Sequence, residues 1–246
     1  ERCGLIEISN YGKFEITGPN AAEWLGHVMA CKVPAVGRIA LSPMLNERGR
    51  LIGDFTMCRV AEERFFVVGT YAAESFYMRW FERHLPPAGV SVRPCAMEWL
   101  GLSVAGPQSR DVLQKLVDQD LSTAVFPFMS FAKMDVGHIP ALVGRVSFTG
   151  EMGYEIWVTS EYLRALYDLM HDAGQPFGLR NFGGRALNSL RLEKSFGNWA
   201  REFRPIYGPY EAGLGRFIHL DKPDFIGKAA AAAEKATGGV RKLVTL

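Results

Sequence analysis

The run Ser147-Phe148-Thr149-Gly150-Glu151-Met152-Gly153-Tyr154-Glu155-Ile156-Trp157-Val158 couples a glycine-punctuated turn to a strand. Gly150 and Gly153 let the backbone take turn conformations with φ > 0 that other residues resist. The β-rich run Tyr154 to Val158 follows at once and fixes whatever the turn presents. Strand alternation puts Tyr154, Ile156 and Val158 on one face, and Glu155 and Trp157 on the other. A carboxylate beside an indole can hold a flat heterocycle. The acid accepts two hydrogen bonds from an amino-plus-ring-NH edge, and the indole supplies apolar contact. A glutamate on the outer face of an edge strand reads the same way, so this stretch alone leaves both readings open.

Working outward, the same pattern of short strands, glycine turns and amphipathic helices recurs. Strands are expected near Ala132 to Val136, Ala141 to Phe148 and Tyr154 to Val158, then helices at about Ser160 to Ala173 and Gly184 to Glu193. In the first half, Leu41 to Asn46 and Leu51 to Val60 flank the turn Glu47-Arg48-Gly49-Arg50, which predicts a hairpin. Arg64 to Gly69 reads as a strand and Ala72 to His84 as a helix whose aromatics (Phe76, Tyr77, Trp80, Phe81) suit a core. An internal echo joins the halves. Phe14 to Pro19 leads into Asn20 to Leu25, and Leu102 to Pro107 leads into Gln108 to Leu113, each a strand, a Gly-Pro turn and a helix. Such units are common, so chance likeness and duplication both remain open. Strands paired by short hairpins with helices to one side predict an α+β fold of two related antiparallel-sheet-plus-helix units.

Pro86-Pro87-Ala88-Gly89 is the strongest internal break and predicts a first unit over 1–88 and a second over 89–228. The alanine run Ala229 to Ala233 reads as a surface helix, opening a terminal segment over 229–246. Val240 to Leu246 reads as a strand whose partners lie beyond the end, and the chain opens directly into a strand-like run, Gly4 to Ser9. Both features suggest a piece of a longer polypeptide.

Composition narrows the function classes. Of 246 residues, 48% are apolar and 22% charged, with a net charge of +2. No long basic run exists, which argues against nucleic acid or an anionic membrane as main partner. No apolar run approaches the ~20 residues needed to cross a bilayer. Cys3, Cys31, Cys58 and Cys95 are far apart, which suits buried thiols in a reducing compartment, the cytoplasm or a mitochondrial matrix, better than a disulfide framework. The histidines show no ligand spacing, so no metal site is expected.

Two further residues stand out. Asp54, after Arg50-Leu51-Ile52-Gly53 and before Phe55-Thr56-Met57, is an acid inside an apolar strand. Burying its charge is costly unless something pairs with it. It reads either as an edge-strand residue facing water or as a carboxylate held in a cleft. Arg191 lies on a helix whose buried stripe is expected at Ala186, Leu187 and Leu190, so it is placed beside that stripe. A surface ion pair with Glu193 or Asp168 is its plain alternative.

These residues together resemble the glycine-cleavage T-protein (aminomethyltransferase) family. The turn and strand at 150–155 resemble its Gly-Glu-x-Gly-aromatic-Glu signature, whose second glutamate grips the pterin of tetrahydrofolate and falls on Glu155, not Glu151. Gly49-Arg50-Leu51-Ile52-Gly53-Asp54 resembles Gly-Gly-Ile-x-x-Asp, whose final acid faces the reactive folate nitrogens. Gly53 stands where some relatives carry a further acid. Ser189 to Glu193 resembles the family's Ser-Leu-Arg-Leu-Glu, whose arginine lies in the folate-binding region. Gly4 to Lys13, Pro43-Met44-Leu45-Asn46 and Tyr210 to Leu214 extend the likeness from about residue 4 to about 228. Ser195 to Arg204 is similar to the C-terminal half of dimethylglycine and sarcosine dehydrogenases, while the Lys-Gly-Cys-Tyr-type motif of iron-sulfur-repair relatives is missing.

The resemblance implies a ferredoxin-like, T-protein-like folate-binding fold with a C-terminal barrel domain lying beyond this piece. It implies tetrahydrofolate as cofactor, Asp54 as the catalytic acid, and Glu155, Arg191, Phe148, Trp157 and Met44 as cofactor-binding positions. Phe148 replaces a tyrosine common in the family and so removes a hydroxyl, and Gly69-Thr70-Tyr71-Ala72 replaces a Ser-Asn-Ala turn. The implied partners are an N-methylated amine or aminomethyl donor and a flavin domain upstream in the same polypeptide, where any FAD would reside; a free-standing aminomethyltransferase and a non-catalytic folate-fold scaffold are the alternatives.

Overall fold

The computed structural model describes residues 3–199, 201–239 and 241–244. In chain order the strands and helices are β1 (Gly4–Glu7), β2 (Tyr11–Thr17), α1 (Ala21–Val28), β3 (Ile39–Leu45), β4 (Leu51–Ala61), β5 (Arg64–Thr70), α2 (Glu74–His84), β6 (Ser91–Pro94) and β7 (Trp99–Ala105). They continue with α3 (Ser109–Gln114), β8 (Phe131–Val136), β9 (Ile139–Gly144), β10 (Gly153–Thr159), α4 (Leu163–Gly174), β11 (Arg180–Asn181), α5 (Gly184–Glu193) and α6 (Lys228–Thr237). The fold is α+β, with two sheets and their helices. One unit holds the chain up to Tyr11 together with Cys95–Phe196; the other holds Gly12–Pro94 and the chain from Gly197 onward.

The two units share one plan. In one, β2, α1, the meander β3-β4-β5 and α2 are followed by β6, and the sheet order is β3-β4-β5-β2-β6. In the other, β7, α3, the meander β8-β9-β10 and α4 give the order β8-β9-β10-β7, with β1 in the slot that β6 fills elsewhere and β11 outside it. Thus the first strand of the chain completes the sheet of the later unit, pairing antiparallel with β7 and parallel with β11. The echo in the sequence is realised to the level of the backbone. Gly18 has φ 125° and Gly106 has φ 121°. Each glycine carbonyl accepts a 3.0 Å hydrogen bond, from the amide of Ala21 and of Ser109 respectively. Only glycine takes this conformation without strain, which is why both turns carry it.

Each unit has its own core. Tyr154, Ile156 and Val158 pack with Leu102, Val104 and Val143 beneath Val112 and Leu113 of α3 and Leu166 and Met170 of α4. Phe14, Ile16, Phe55, Met57 and Val67 pack beneath Trp24 and Leu25 of α1 and Tyr77, Trp80 and Phe81 of α2. The helical aromatics are therefore core, except Phe76, which is exposed. The predicted hairpin closes at Gly49 (φ 69°), and the Asn46 Oδ1 accepts from the amides of Arg48 and Arg50. All four cysteines are buried and stand outside any disulfide.

Several boundaries differ from the sequence reading. The chain does not change units at Pro86 to Gly89, because β6 beyond it still pairs with β2. That Pro/Gly stretch is a turn, in which the Gly89 carbonyl accepts from the Asn20 amide. Both units are discontinuous, so divisions at 88 and 228 do not match them. The predicted strand to Phe148 stops at Gly144, after which the buried Arg145 holds the Phe126 carbonyl at 2.7 Å. The alanine-rich α6 forms as predicted, burying Ala231. Residues 241–244 form no strand, though the Leu243 amide donates to the Glu211 carbonyl. Val240, Thr245 and Leu246, which complete that predicted strand, and Ala200 of the Ser195–Arg204 stretch lie outside the described residues. Among the described residues, no helix is long and apolar enough to cross a membrane.

Candidate functional site

Glu155 lies on β10, between β7 and β9 and away from either sheet edge, so the edge-strand reading fails. Its lateral neighbours are Ser103 of β7 and Gly144 of β9, both small. Its strand neighbours Tyr154 and Ile156 face the core, which leaves the carboxylate on the opposite face. Glu155 is half-buried, and no hydrogen bond or ion pair engages its carboxylate among the described residues. Burial alone pushes its carboxyl from 4.5 to about 7. A desolvated acid without a partner carries a standing cost that a donor ligand can relieve.

The turn before β10 is held by its own hydroxyls. Ser147 and Thr149 share a 2.7 Å side-chain hydrogen bond, the Thr149 amide donates to Ser147 Oγ, and the Glu151 amide donates to Thr149 Oγ1. Gly153 is required by space: a Cβ there would sit 2.7 Å from Ser147 Cβ and 2.8 Å from the Val104 carbonyl. Glu151, the other acid of the turn, forms a 3.0 Å ion pair with Lys194 at the surface. Glu151 in the turn and Glu155 on the strand thus meet different surroundings.

Trp157, expected to supply apolar contact to a flat heterocycle, is enclosed in the structure. It shares the Glu155 face but is 1% exposed, lying across Gly101, where any Cβ would come within 2.5 Å of its ring. The glycine opposite draws the indole down onto the sheet. Phe148 is half-buried and stacks on Phe196 with ring centroids 6.3 Å apart. The same Phe196 accepts a 2.7 Å hydrogen bond from Arg191 Nη1 through its carbonyl, while Arg191 Nε donates to Asn188 Oδ1 at 3.0 Å.

Arg191 corrects the helix reading. It is the buried residue of α5, at 1% exposed, whereas Ala186 is exposed and Leu187 and Leu190 are only half-buried. The guanidinium enters the interior because acceptors at the helix C-terminus satisfy it and the helix dipole favours a cation there. The surface alternative also fails at Asp168, which pairs with Arg164. Phe196, which ties Arg191 to Phe148, was not singled out from sequence. Its position within the Ser195 to Arg204 stretch was the available signal.

In the other unit, Asp54 lies on β4, between β3 and β5, again within the sheet. Its neighbour Phe55 faces the aromatic core, so the acid projects from the other face. Asp54 is half-buried, and burial raises its carboxyl from 3.8 to about 7, opposed only by its own backbone amide. Gly53 explains the missing neighbouring acid. A Cβ there would meet Phe55 at 2.6 Å and Tyr77 at 3.0 Å, so those rings occupy the space a side chain would need.

Met44, expected among the cofactor contacts, is 0% exposed in the aromatic core. It is the cross-strand partner of Gly53 and so shares that residue's core-facing side, not the side of Asp54. A cation that sequence reasoning missed is Lys13 of β2, which is fully buried. Phe14 beside it packs on Phe55, so alternation puts Lys13 on the same face of the sheet as Asp54. Lys13 also opposes the upward shift that burial imposes on the Glu74 carboxyl. The signal was a lysine inside the strand pattern Gly12 to Ile16. Among the described residues, no cluster of histidine, cysteine or carboxylate side chains is arranged to hold a metal ion.

Comparison with known proteins adds the following. The family model for the GCVT N-terminal domain matches residues 1–222. The chain is 41% identical to the mitochondrial dimethylglycine dehydrogenase of Rattus norvegicus over 249 residues, covering 100% of this chain and 29% of that protein. It is 30% identical to the aminomethyltransferase of Desulfitobacterium hafniense (strain Y51), covering 100% of this chain and 67% of that protein. The solved structure of the glycine cleavage system aminomethyltransferase T from Bartonella henselae superposes with a TM-score of 0.86 at 24% identity, over 97% of this chain and 64% of that one.

Proposed function

The chain belongs to the glycine-cleavage T-protein family through its GCVT N-terminal domain, and on that premise we propose that it binds tetrahydrofolate and serves one-carbon transfer. The observation that carries this reading is Glu155, a half-buried carboxylate inside the sheet, raised to about 7 and unpartnered among the described residues. Such an acid fits the amino-plus-ring-NH edge of a reduced pterin. Tetrahydrofolate, when bound, supplies the nitrogens that accept the one-carbon unit. Glu155 would hold the ring edge through its carboxylate, and donors there would favour its ionised form and offset the cost of burial. Asp54, with its carboxyl near 7, can hold or receive a proton at Oδ around neutral pH and, when ionised, offsets positive charge. Arg191, Phe196 and Phe148 form the packed support of the folate-binding region.

The chain spans about 29% of the length of the dimethylglycine dehydrogenase it matches. We place it in an enzyme of the dimethylglycine or sarcosine dehydrogenase type, in which a flavin domain of the same polypeptide oxidises an N-methylated amine and the product is 5,10-methylenetetrahydrofolate. Identity of 41% to the dehydrogenase against 30% to the free-standing aminomethyltransferase supports this context. The compartment that suits it is the mitochondrial matrix in a eukaryote and the cytoplasm otherwise.

Titration calorimetry with tetrahydrofolate on wild type, Glu155→Ala and Glu151→Ala tests the assignment. Removing one partner of a buried charged contact costs about 2–5 kcal/mol, so Glu155→Ala is expected to weaken binding by tens- to thousands-fold. Glu151→Ala, which breaks only a surface ion pair, is expected to bind as wild type. Loss in Glu151→Ala with retention in Glu155→Ala overturns the reading.

A further inference from the structure

β7 is apolar or glycine at every position from Trp99 to Ala105 except one, Ser103. Ser103 is 5% exposed, so the side chain keeps only a narrow contact with bulk water. A hydroxyl left in such a place without a partner is unfavourable, and an alanine would be the simpler residue for a strand interior. The register explains where the hydroxyl stands. Ser103 is directly opposite Glu155 across the β7–β10 ladder, so the two side chains share one face with Cβ atoms about 4.5–5.5 Å apart. On the other flank of Glu155 stands Gly144, which has no side chain. Ser103 is therefore the polar side chain lying beside the Glu155 carboxylate within the ladder. No hydrogen bond joins the two side chains, and burial by itself accounts for the raised carboxyl of Glu155. The serine hydroxyl is not spent on the acid.

We propose that Ser103 is a second ring-reading residue, whose hydroxyl donates to the carbonyl oxygen next to the ring N–H that Glu155 accepts. The inference rests on the folate reading of Glu155 and extends it. A carboxylate alone recognises a pair of N–H donors. A carboxylate with a hydroxyl about 5 Å to its side recognises two donors followed by an acceptor, the order along the amino-oxo edge of a reduced pterin. Specificity of this kind comes from leaving the site's polar groups unpaired when the wrong edge enters.

The test compares Ser103→Val with Ser103→Thr in the full polypeptide that carries this chain. These side chains have the same shape, both suit a strand, and they differ in the hydroxyl. Each is titrated with tetrahydrofolate and with a tetrahydropterin that lacks the benzoylglutamate tail, and melting temperatures are recorded alongside. Ser103→Thr is expected to bind both ligands within about threefold of wild type. Ser103→Val is expected to weaken both by about tenfold, the scale of one lost hydrogen bond. Equal melting temperatures for the two variants would place the difference in binding and not in folding. Indistinguishable affinities for Val and Thr overturn the proposal, as does a penalty seen with tetrahydrofolate but not with the tail-less pterin. Failure of wild type to bind either ligand, or binding that is indifferent to Glu155→Ala, would instead overturn the folate reading itself.

Discussion

Replacing Glu155 by glutamine is expected to make the ligand-free protein more stable at alkaline pH while weakening folate binding. The carboxyl is raised from 4.5 to about 7 by burial, a shift that corresponds to roughly 3 kcal/mol of disfavour for the charged form. The sign follows from proton linkage. Because the folded pKa is the higher one, the folded chain binds the proton more tightly than the unfolded chain does. Stability conferred by this group is complete below about pH 4.5 and is lost as pH rises to about 7 and beyond. Glutamine has nearly the same shape and no charge, so Glu155→Gln removes the alkaline penalty. Allowing for partial exposure, the gain at pH 8 is about 2 kcal/mol, or a rise of about 4–8 °C in melting temperature for a chain of this size. The gain shrinks as pH is lowered from 8 towards 5. Melting curves of wild type and variant at several pH values measure it, with calorimetry on the same samples to record the loss of tetrahydrofolate affinity. A variant no more stable than wild type at pH 8, or a difference that does not change with pH, refutes the argument that an unpartnered buried carboxylate sits at this position.

On the proposal that the chain serves a flavin-dependent dehydrogenase, Asp54→Asn in the full polypeptide is expected to abolish one-carbon transfer while leaving flavin reduction by the amine largely unchanged. Single-turnover kinetics with and without tetrahydrofolate separate the two steps, and an unaltered yield of methylenetetrahydrofolate would remove Asp54 from the chemistry. The same variant is expected to gain stability above about pH 7, since its carboxyl is also raised by burial. Arg191→Ala is expected to cost about 3 kcal/mol or more, because it leaves the Phe196 carbonyl and Asn188 Oδ1 without their donor and empties a buried volume. Urea unfolding measures that loss, and folate affinity should fall less than in Glu155→Ala once the folded fraction is accounted for. A variant as stable as wild type would mean that the guanidinium is not the anchor its burial indicates.

How far the sequence reached can be judged from particular residues. Alternation in Tyr154 to Val158 placed Glu155 opposite the core, and the Gly-Pro echo located two equivalent strand–turn–helix units. Both readings succeed because periods of 2 and 3.6 and the φ > 0 demand of a turn are properties of neighbouring residues. Burial of Arg191 was misjudged because its acceptors, Asn188 and the Phe196 carbonyl, make a guanidinium cheaper to enclose than its hydropathy suggests. Met44 and Trp157 are both expected from the sequence among the cofactor contacts. They are enclosed because each faces a glycine on the next strand, Gly53 and Gly101, and a large side chain settles into the space its partner leaves.

By itself the sequence determined the α+β class, the hairpins, the bounds of α5 and the presence of two acids, Asp54 and Glu155, inside apolar strands. Only the tertiary structure decided that β1 completes the sheet of the later unit, that β6 stays with the earlier one, and that Asp54 and Glu155 stand on interior strands. The physical reason is strand pairing, which joins residues far apart in the chain through backbone hydrogen bonds that carry almost no side-chain signature. Whether a carboxylate lies at a wet edge or in a desolvated sheet interior depends on that pairing, and with it whether its pKa stays ordinary or rises to about 7.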